Sequence, residues 1–186
     1  YADIMGFYGA DRCKEAYQDI RKRLELNRQV TGNGYKKMTA SSGMKEVVPK
    51  RSPEYLDFVY WELLSLLKLQ ERHRQDLKRR GATALEIKEL ELIGYKSIEP
   101  ENSVSIAEKL LEKGLRLDGI PGFFRNRDGI WEAAFYEGNQ GYLCPVYSLD
   151  RKIAGFQIRV DNPINHRKYI WFTSSGFSGG TSSGSP

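Results

Sequence analysis

The order of apolar and polar positions divides the chain into three unlike stretches. In residues 3–30 apolar side chains recur at Ile4, Phe7, Tyr8, Ala16, Ile20 and Leu24, a helical spacing, and Asp11 is placed to cap a second helix. Residues 31–52 hold three glycines, a proline and five basic residues with no sustained apolar period, which predicts a linker and a domain boundary. Ser52-Pro53-Glu54 then opens a helix: Ser caps, Pro is tolerated at the first position, and the carboxylate complements the helix dipole. Tyr55, Phe58, Val59, Leu63, Leu66 and Leu67 line one face to about residue 69. A second helix is expected over 70–80, ending at Gly81. A third is opened by the Thr83/Glu86 capping box and runs to about Leu92. A fourth runs from Ser103 or Ser105 to Lys113, closed by Gly114.

After Pro121 the period drops toward two, and strands are expected at 121–125, 130–136, 141–148, 152–160 and 168–173, with a short hairpin connection at Leu149–Lys152. Residues 53–175 thus read as one α+β unit, helices packed on a small antiparallel sheet. Residues 176–186 are nearly all Gly and Ser, the composition of a flexible tail or linker that buries no core.

Composition changes this picture little. With 40% apolar and 12% aromatic residues in 186, the chain is too rich in core formers to be disordered throughout. Its longest apolar stretch, Leu63–Leu69, is interrupted by Ser65 and Lys68 and falls far short of the roughly 20 residues that span a bilayer, so no membrane partner is expected. Cys13 and Cys144 form no CxxC or Cys/His cluster, which argues against a disulfide framework or a zinc site and for a reducing cytoplasm. The chain opens on Tyr1 with no secretory signal and reads as an excised fragment. A net charge of +5 favours polyanions only mildly.

The charge matters more where it is concentrated. Arg72, His73, Arg74, Lys78, Arg79 and Arg80 crowd one predicted helix, which reads first as a solvated helix with intrahelical ion pairs and second as a phosphate contact. Around the last strand, Arg159, His166, Arg167 and Lys168 stand close to Tyr169, Trp171 and Phe172. Cations and aromatics on a sheet are the ingredients of a single-strand track, in which charges hold phosphates and rings stack on bases. The same alternation also describes an ordinary edge strand solvated by basic residues.

Enzymatic chemistry is thinly represented. His73 and His166 are the two side chains suited to act as neutral-pH bases, and both read as surface residues in basic neighbourhoods. Asp150 and Asp161 sit beside turns, and no GxSxG serine or DxD carboxylate pair is present. The string GTSSGSP lacks the GK[ST] ending of a phosphate loop. No metal site and no catalytic residue is assigned.

Two stretches carry a resemblance. Leu77, Arg80, Gly81, the capped helix 83–92 and Gly94-Tyr95 resemble the helical entry of bacterial primase cores. Pro145, Asp150, Gly155, Phe156, Arg159, Lys168, Tyr169 and Ser174 occupy the places of the hairpin and "K-Y-x-x-S" strand that follow in those enzymes. The order of Gly119–Phe123, Lys168–Ser175 and Gly179–Pro186 is similar to primase-like proteins of plasmids and conjugative elements. The resemblance covers about Leu66–Pro186. Residues 3–26 resemble the end of a primase-type zinc-binding domain more weakly, and depart from it at Cys13.

The resemblance implies the N-terminal subdomain of a primase catalytic core, with a toprim subdomain, its metal-binding carboxylates and Mg2+ or Mn2+ in the full-length enzyme, and no cofactor in this piece. It implies that Arg159, Lys168 and Tyr169 line the groove for single-stranded DNA template and initiating nucleotides. Arg167 and Trp171 join them on the residue chemistry above, and a replicative helicase is a further expected partner. The expected function is template binding for RNA primer synthesis, a nucleotidyl transfer. The alternative is a non-catalytic DNA-binding or partner-binding adaptor of a mobile genetic element, and a small hydrolase using His166 is a distant third.

Overall fold

A computed structural model describes residues 48–163, 166–177 and 179–183. The helices expected in 1–30 and most of the 31–52 linker lie outside these residues. Four α-helices and six strands follow: α1 (Pro53–Ser65), α2 (Glu71–Arg79), α3 (Ala84–Leu92), β1 (Lys96–Ile98), α4 (Ser103–Glu112), β2 (Phe123–Arg125), β3 (Trp131–Ala133), β4 (Gly141–Tyr147), β5 (Ile153–Val160) and β6 (Tyr169–Trp171).

The helix starts obey local chemistry. Ser52 Oγ accepts from the Tyr55 amide with Pro53 in the first turn. At Thr83 and Glu86 both arms of the capping box form. α1 nevertheless buries Leu56, Val59, Tyr60, Leu63 and Leu64, a stripe rotated from the expected one, and leaves Phe58 half exposed. The helix carries two overlapping apolar stripes, and contact with β5 and α4 selects between them. It also stops at Ser65, so Leu67 and Leu69 are buried from the connection that follows the helix.

The expected single sheet is two. β1-β4-β5-β6 form a four-stranded antiparallel sheet, and β2-β3 form a separate antiparallel hairpin. Strand β1 has no counterpart among the expected strands. It lies in the half of the chain that reads as helical, and its three residues extend by pairing with Gly141–Leu143, far along the chain.

The core lies between one face of the large sheet and helices α1 and α4, with the β2-β3 hairpin closing one side. Phe172 is fully buried at its centre, its ring edge-on to Phe123 and Phe156 and stacked with Phe135. Tyr60 meets Phe156 edge-to-face with centroids 4.9 Å apart and donates its hydroxyl to the Pro121 carbonyl. Burying a side chain of this size contributes roughly 1.5–3 kcal/mol. A second, smaller cluster of Leu69, Leu77, Ile87 and Tyr142 holds α2 and α3 against the opposite face of the sheet.

The Gly/Ser segment departs from its composition. Phe177 stacks on Phe124 with centroids 3.7 Å apart, and Thr181 and Ser183 are buried. Ser174 Oγ accepts from the Thr181 amide and donates to its carbonyl, while Lys50 Nζ donates to the Ser183 carbonyl. Residues 177 and 181–183 are therefore anchored and not a free tail. Small residues permit this, since a Cβ on Gly180 would lie 1.9 Å from the Ser174 carbonyl oxygen.

Gly122 tests the central packing. Its φ is +90°, and a Cβ there would fall 2.1 Å from the Phe172 ring. Gly122→Ala is expected to destabilise the fold by about 2–4 kcal/mol, combining left-handed strain with overpacking, read as a lower urea midpoint. An unchanged midpoint would refute the fixed position of Phe172.

Candidate nucleic-acid interface

Residues directly opposite in an antiparallel sheet share a face, so the register assembles two cross-strand rows. Tyr142, Arg159 and Tyr169 form one, and Cys144, Gln157 and Trp171 the next. This face is opposite to the one bearing Phe156, Ile158 and Val160, which are buried. Helices α2 and α3 cover its β1-β4 half, and the β5-β6 half stays open, with Tyr169 43% and Trp171 37% exposed.

Arg159 is the centre of the open half. Its guanidinium lies 5.5 Å from the Tyr169 ring centroid, and Nη1 donates to the carbonyls of Val160 and Lys168. Its Nε is the one buried side-chain nitrogen or oxygen among the described residues with no hydrogen-bond partner. Arg167 and Lys168 lie beside it at the start of β6, both exposed and, among the described residues, outside any ion pair. The register thus gathers Arg159, Tyr169 and Trp171 on one surface, with Lys168 and Arg167 at its rim.

Arg80 joins them from outside the last strands. It caps the end of α2, and its Nη2 donates to the Tyr169 hydroxyl at 2.9 Å. Between them opens a cleft of about 370 Å3, lined also by Tyr95, Tyr142, Cys144 and Gln157. Burial pushes the Cys144 thiol up to about 11, so it is neutral at physiological pH and not a nucleophile. The sequence offered Arg80 only as one of six crowded basic groups. Its nearness to a residue 89 positions later follows from tertiary packing alone.

The basic residues of α2 and its cap are mostly spoken for, half of the pairs by other elements. Arg72 pairs with Glu99 and Arg74 with Glu91, whereas Arg79 and Arg80 pair with Asp76 on the helix itself. The expected intrahelical ion pairs account for only part of this set.

His73 corrects the sequence reading outright: it is 2% exposed. Nδ1 lies 2.6 Å from Ser97 Oγ and Nε2 lies 2.9 Å from an Asp161 carboxylate oxygen, while Ser97 Oγ accepts from the Gln70 amide. A neutral ring protonated on Nε2 satisfies every group: it donates to Asp161 and accepts the Ser97 hydroxyl proton. Ser97 is itself buried, so this Ser-His-Asp arrangement is closed to substrate and acts as a tie between α2, β1 and the end of β5. His166 is exposed, and no carboxylate among the described residues pairs with it. Among the described residues no three His, Cys, Asp or Glu side chains converge as a metal site.

The tie makes stability pH-dependent with a defined sign. Burial lowers the His73 pKa below its ordinary 6.5, against the opposing pull of Asp161. Below about pH 6.5 the unfolded chain takes up a proton that the folded chain resists, so stability falls as pH drops from there toward the folded value. The urea midpoint is expected to decline between pH 7.5 and 5, and His73→Gln is expected to flatten that decline. An equal decline in both proteins would remove His73 as its cause.

No family model and no curated protein sequence matches the chain. Among solved structures it is similar to the RNA polymerase domain of Mycobacterium tuberculosis primase DnaG in complex with a double-stranded DNA oligomer carrying a 6-nucleotide overhang. The TM-score is 0.52 at 19% identity, over 67% of this chain and 40% of that one. A second structure of the same domain gives 0.51 at 19% identity, over 66% and 41%. The chain spans about 40% of the length of those domains, and over that span its fold is primase-like.

Proposed function

We propose that the chain holds single-stranded DNA template for a primase-like replication protein, along the open face of β5 and β6. The observation that carries this reading is the state of Arg159. Its guanidinium is fixed beneath an exposed Tyr169, yet no carboxylate among the described residues pairs with it. The part-exposed guanidinium therefore keeps its charge for a phosphate oxygen arriving at this face, and a charge-assisted hydrogen bond to phosphate is about twice as strong as a neutral one. Lys168 and Arg167 supply further charge for the backbone, and Tyr169 and Trp171 supply ring faces for bases. Arg80 extends the cationic margin across the cleft.

The fold likeness supports the reading, and that primase domain was itself crystallised with DNA. The metal-dependent step of primer synthesis belongs, in this proposal, to carboxylates on another subdomain. The described residues contribute capture and orientation of the template, with no step routed through a metal. A helicase partner and an origin in a plasmid or conjugative element remain parts of the proposal that rest on the sequence resemblance.

Arg159→Ala combined with Lys168→Ala is expected to weaken binding of a single-stranded oligonucleotide by the 186-residue chain. It should also lower the slope of log K against log salt by about 1.4, the share of two phosphate contacts. Trp171→Ala is expected to cost about 1–3 kcal/mol with little change in slope, since stacking releases no counterions. Fluorescence anisotropy over a salt series measures both, and an unchanged affinity and slope in the double variant would sink the template-track reading.

A further inference from the structure

Helix α3 is apolar on the side that faces water as well as on the side that packs. Ile87 is buried in the small cluster with Leu77 and Tyr142, and Leu90 packs against it, which is all the burial an amphipathic helix of this length needs. Leu85 is nevertheless 67% exposed and Leu92 77%, and Ile93 at the helix end is exposed too. At about 100° and 1.5 Å per residue, Leu85 and Leu92 point in nearly the same direction, about 10.5 Å apart along the axis and away from Ile87. A single exposed leucine needs no explanation, but three apolar side chains on one outward face make a patch.

The patch borders a groove. Between the turn that ends α2 and the outer face of α3 runs an open groove of about 740 Å3, lined by Gly81, Ala82, Leu90, Ile93, Glu86 and Glu89. Its end is fastened to the sheet, because the Tyr147 hydroxyl donates to the Ile93 carbonyl at 2.6 Å. Glu86 and Glu89 are neighbours on the helix surface, three residues apart. Glu86 Oε2 accepts from the amide and the hydroxyl of Thr83, which fixes the side chain and holds its carboxyl below the usual carboxylate range. Among the described residues neither carboxylate is in an ion pair, and Glu89 makes no side-chain hydrogen bond.

In a chain of net charge +5, a face with two unneutralised carboxylates runs against the trend. Glu91 is turned away from it and paired with Arg74 and Lys96, and Lys88 lies roughly 160° around the helix from Glu86. A phosphate-bearing ligand is repelled by such a face. A small cation would use the carboxylates and leave the leucines uncovered. A helix with apolar side chains on one side and Lys or Arg along its flank uses both, laying the apolar side on Leu85, Leu90, Leu92 and Ile93 while its cations meet Glu86 and Glu89.

We propose that the groove along α3 docks a basic amphipathic helix of a partner protein. Leu90 also lines the cleft between Arg80 and Tyr169, so the docked helix lies beside that cleft, on a surface of opposite charge. The proposal does not rest on the template-track reading, since it uses none of the residues assigned to that face.

The probe is a fluorescein-labelled synthetic peptide of about four helical turns, with leucine along one face and lysine along the other. Its counterpart carries glutamate in place of every lysine. Anisotropy titration with the 186-residue chain is expected to show about tenfold or tighter binding of the lysine peptide over the glutamate peptide. Glu89→Lys and, separately, Leu85→Gln with Leu92→Gln should each weaken the lysine peptide about tenfold. All three positions are exposed and the new residues are good helix formers, so both variants are expected to fold, which circular dichroism checks. The leucine variant should bind a single-stranded oligonucleotide as the unaltered chain does, which keeps this test apart from that of the template track. Equal binding of the two peptides, or undiminished binding of the lysine peptide by either variant, would overturn the proposal. A dimer of the unaltered chain in sedimentation that the leucine variant dissolves would give the face to a second copy and overturn it as well.

Discussion

Phe172 is the side chain on which the rest of the structure leans. Its ring is enclosed by Phe156 of the large sheet, by Phe123 of the hairpin and by Phe135 just after it, with Gly122 leaving the space it fills. Because strand residues alternate, seating Phe172 inward and half-burying Ile170 obliges Tyr169 and Trp171 to face outward. The exposed aromatics of the candidate interface are thus a consequence of core packing. Their exposure needs no separate device, only a hydrophobic anchor one residue further on.

The opposite face is organised by polar ties of short reach. His73, Ser97 and Asp161 bind the start of α2 to the edge strand β1 and to the end of β5. The Leu77–Tyr142 cluster then sets the helix against the sheet, and the residue that caps its end, Arg80, arrives at Tyr169. A buried, fully satisfied His in the neutral form is a costly group to lose and a precise one to keep, since every partner has a fixed direction. It places a cation beside the open strands that no local sequence feature would place there.

Charge is sorted in the same way. The three arginines of α2 are paired with carboxylates, two of them on other elements, and contribute to cohesion. Among the described residues Arg159, Arg167 and Lys168 lie outside any ion pair, and Arg159 and Arg125 sit beside aromatic rings on opposite sides of the large sheet. A net charge of +5 therefore understates the local potential on each face.

What the sequence determined by itself was what short-range physics controls. The Ser52 and Thr83 caps, the glycine stops and the period-two alternation after Pro121 placed the four helices and the five strands after Pro121 to within a few residues. The same alternation gathered Arg159, Lys168, Tyr169 and Trp171, because one hairpin and one strand carry them all. What only the tertiary structure decided was which of two stripes α1 buries, that Lys96–Ile98 becomes a strand, and that His73 is interior. It also decided that Phe177, Thr181 and Ser183 are held, and that Arg80 meets Tyr169. Each of these depends on a partner tens of residues away, and composition reports what a segment is able to bury, not what surface will be offered to it.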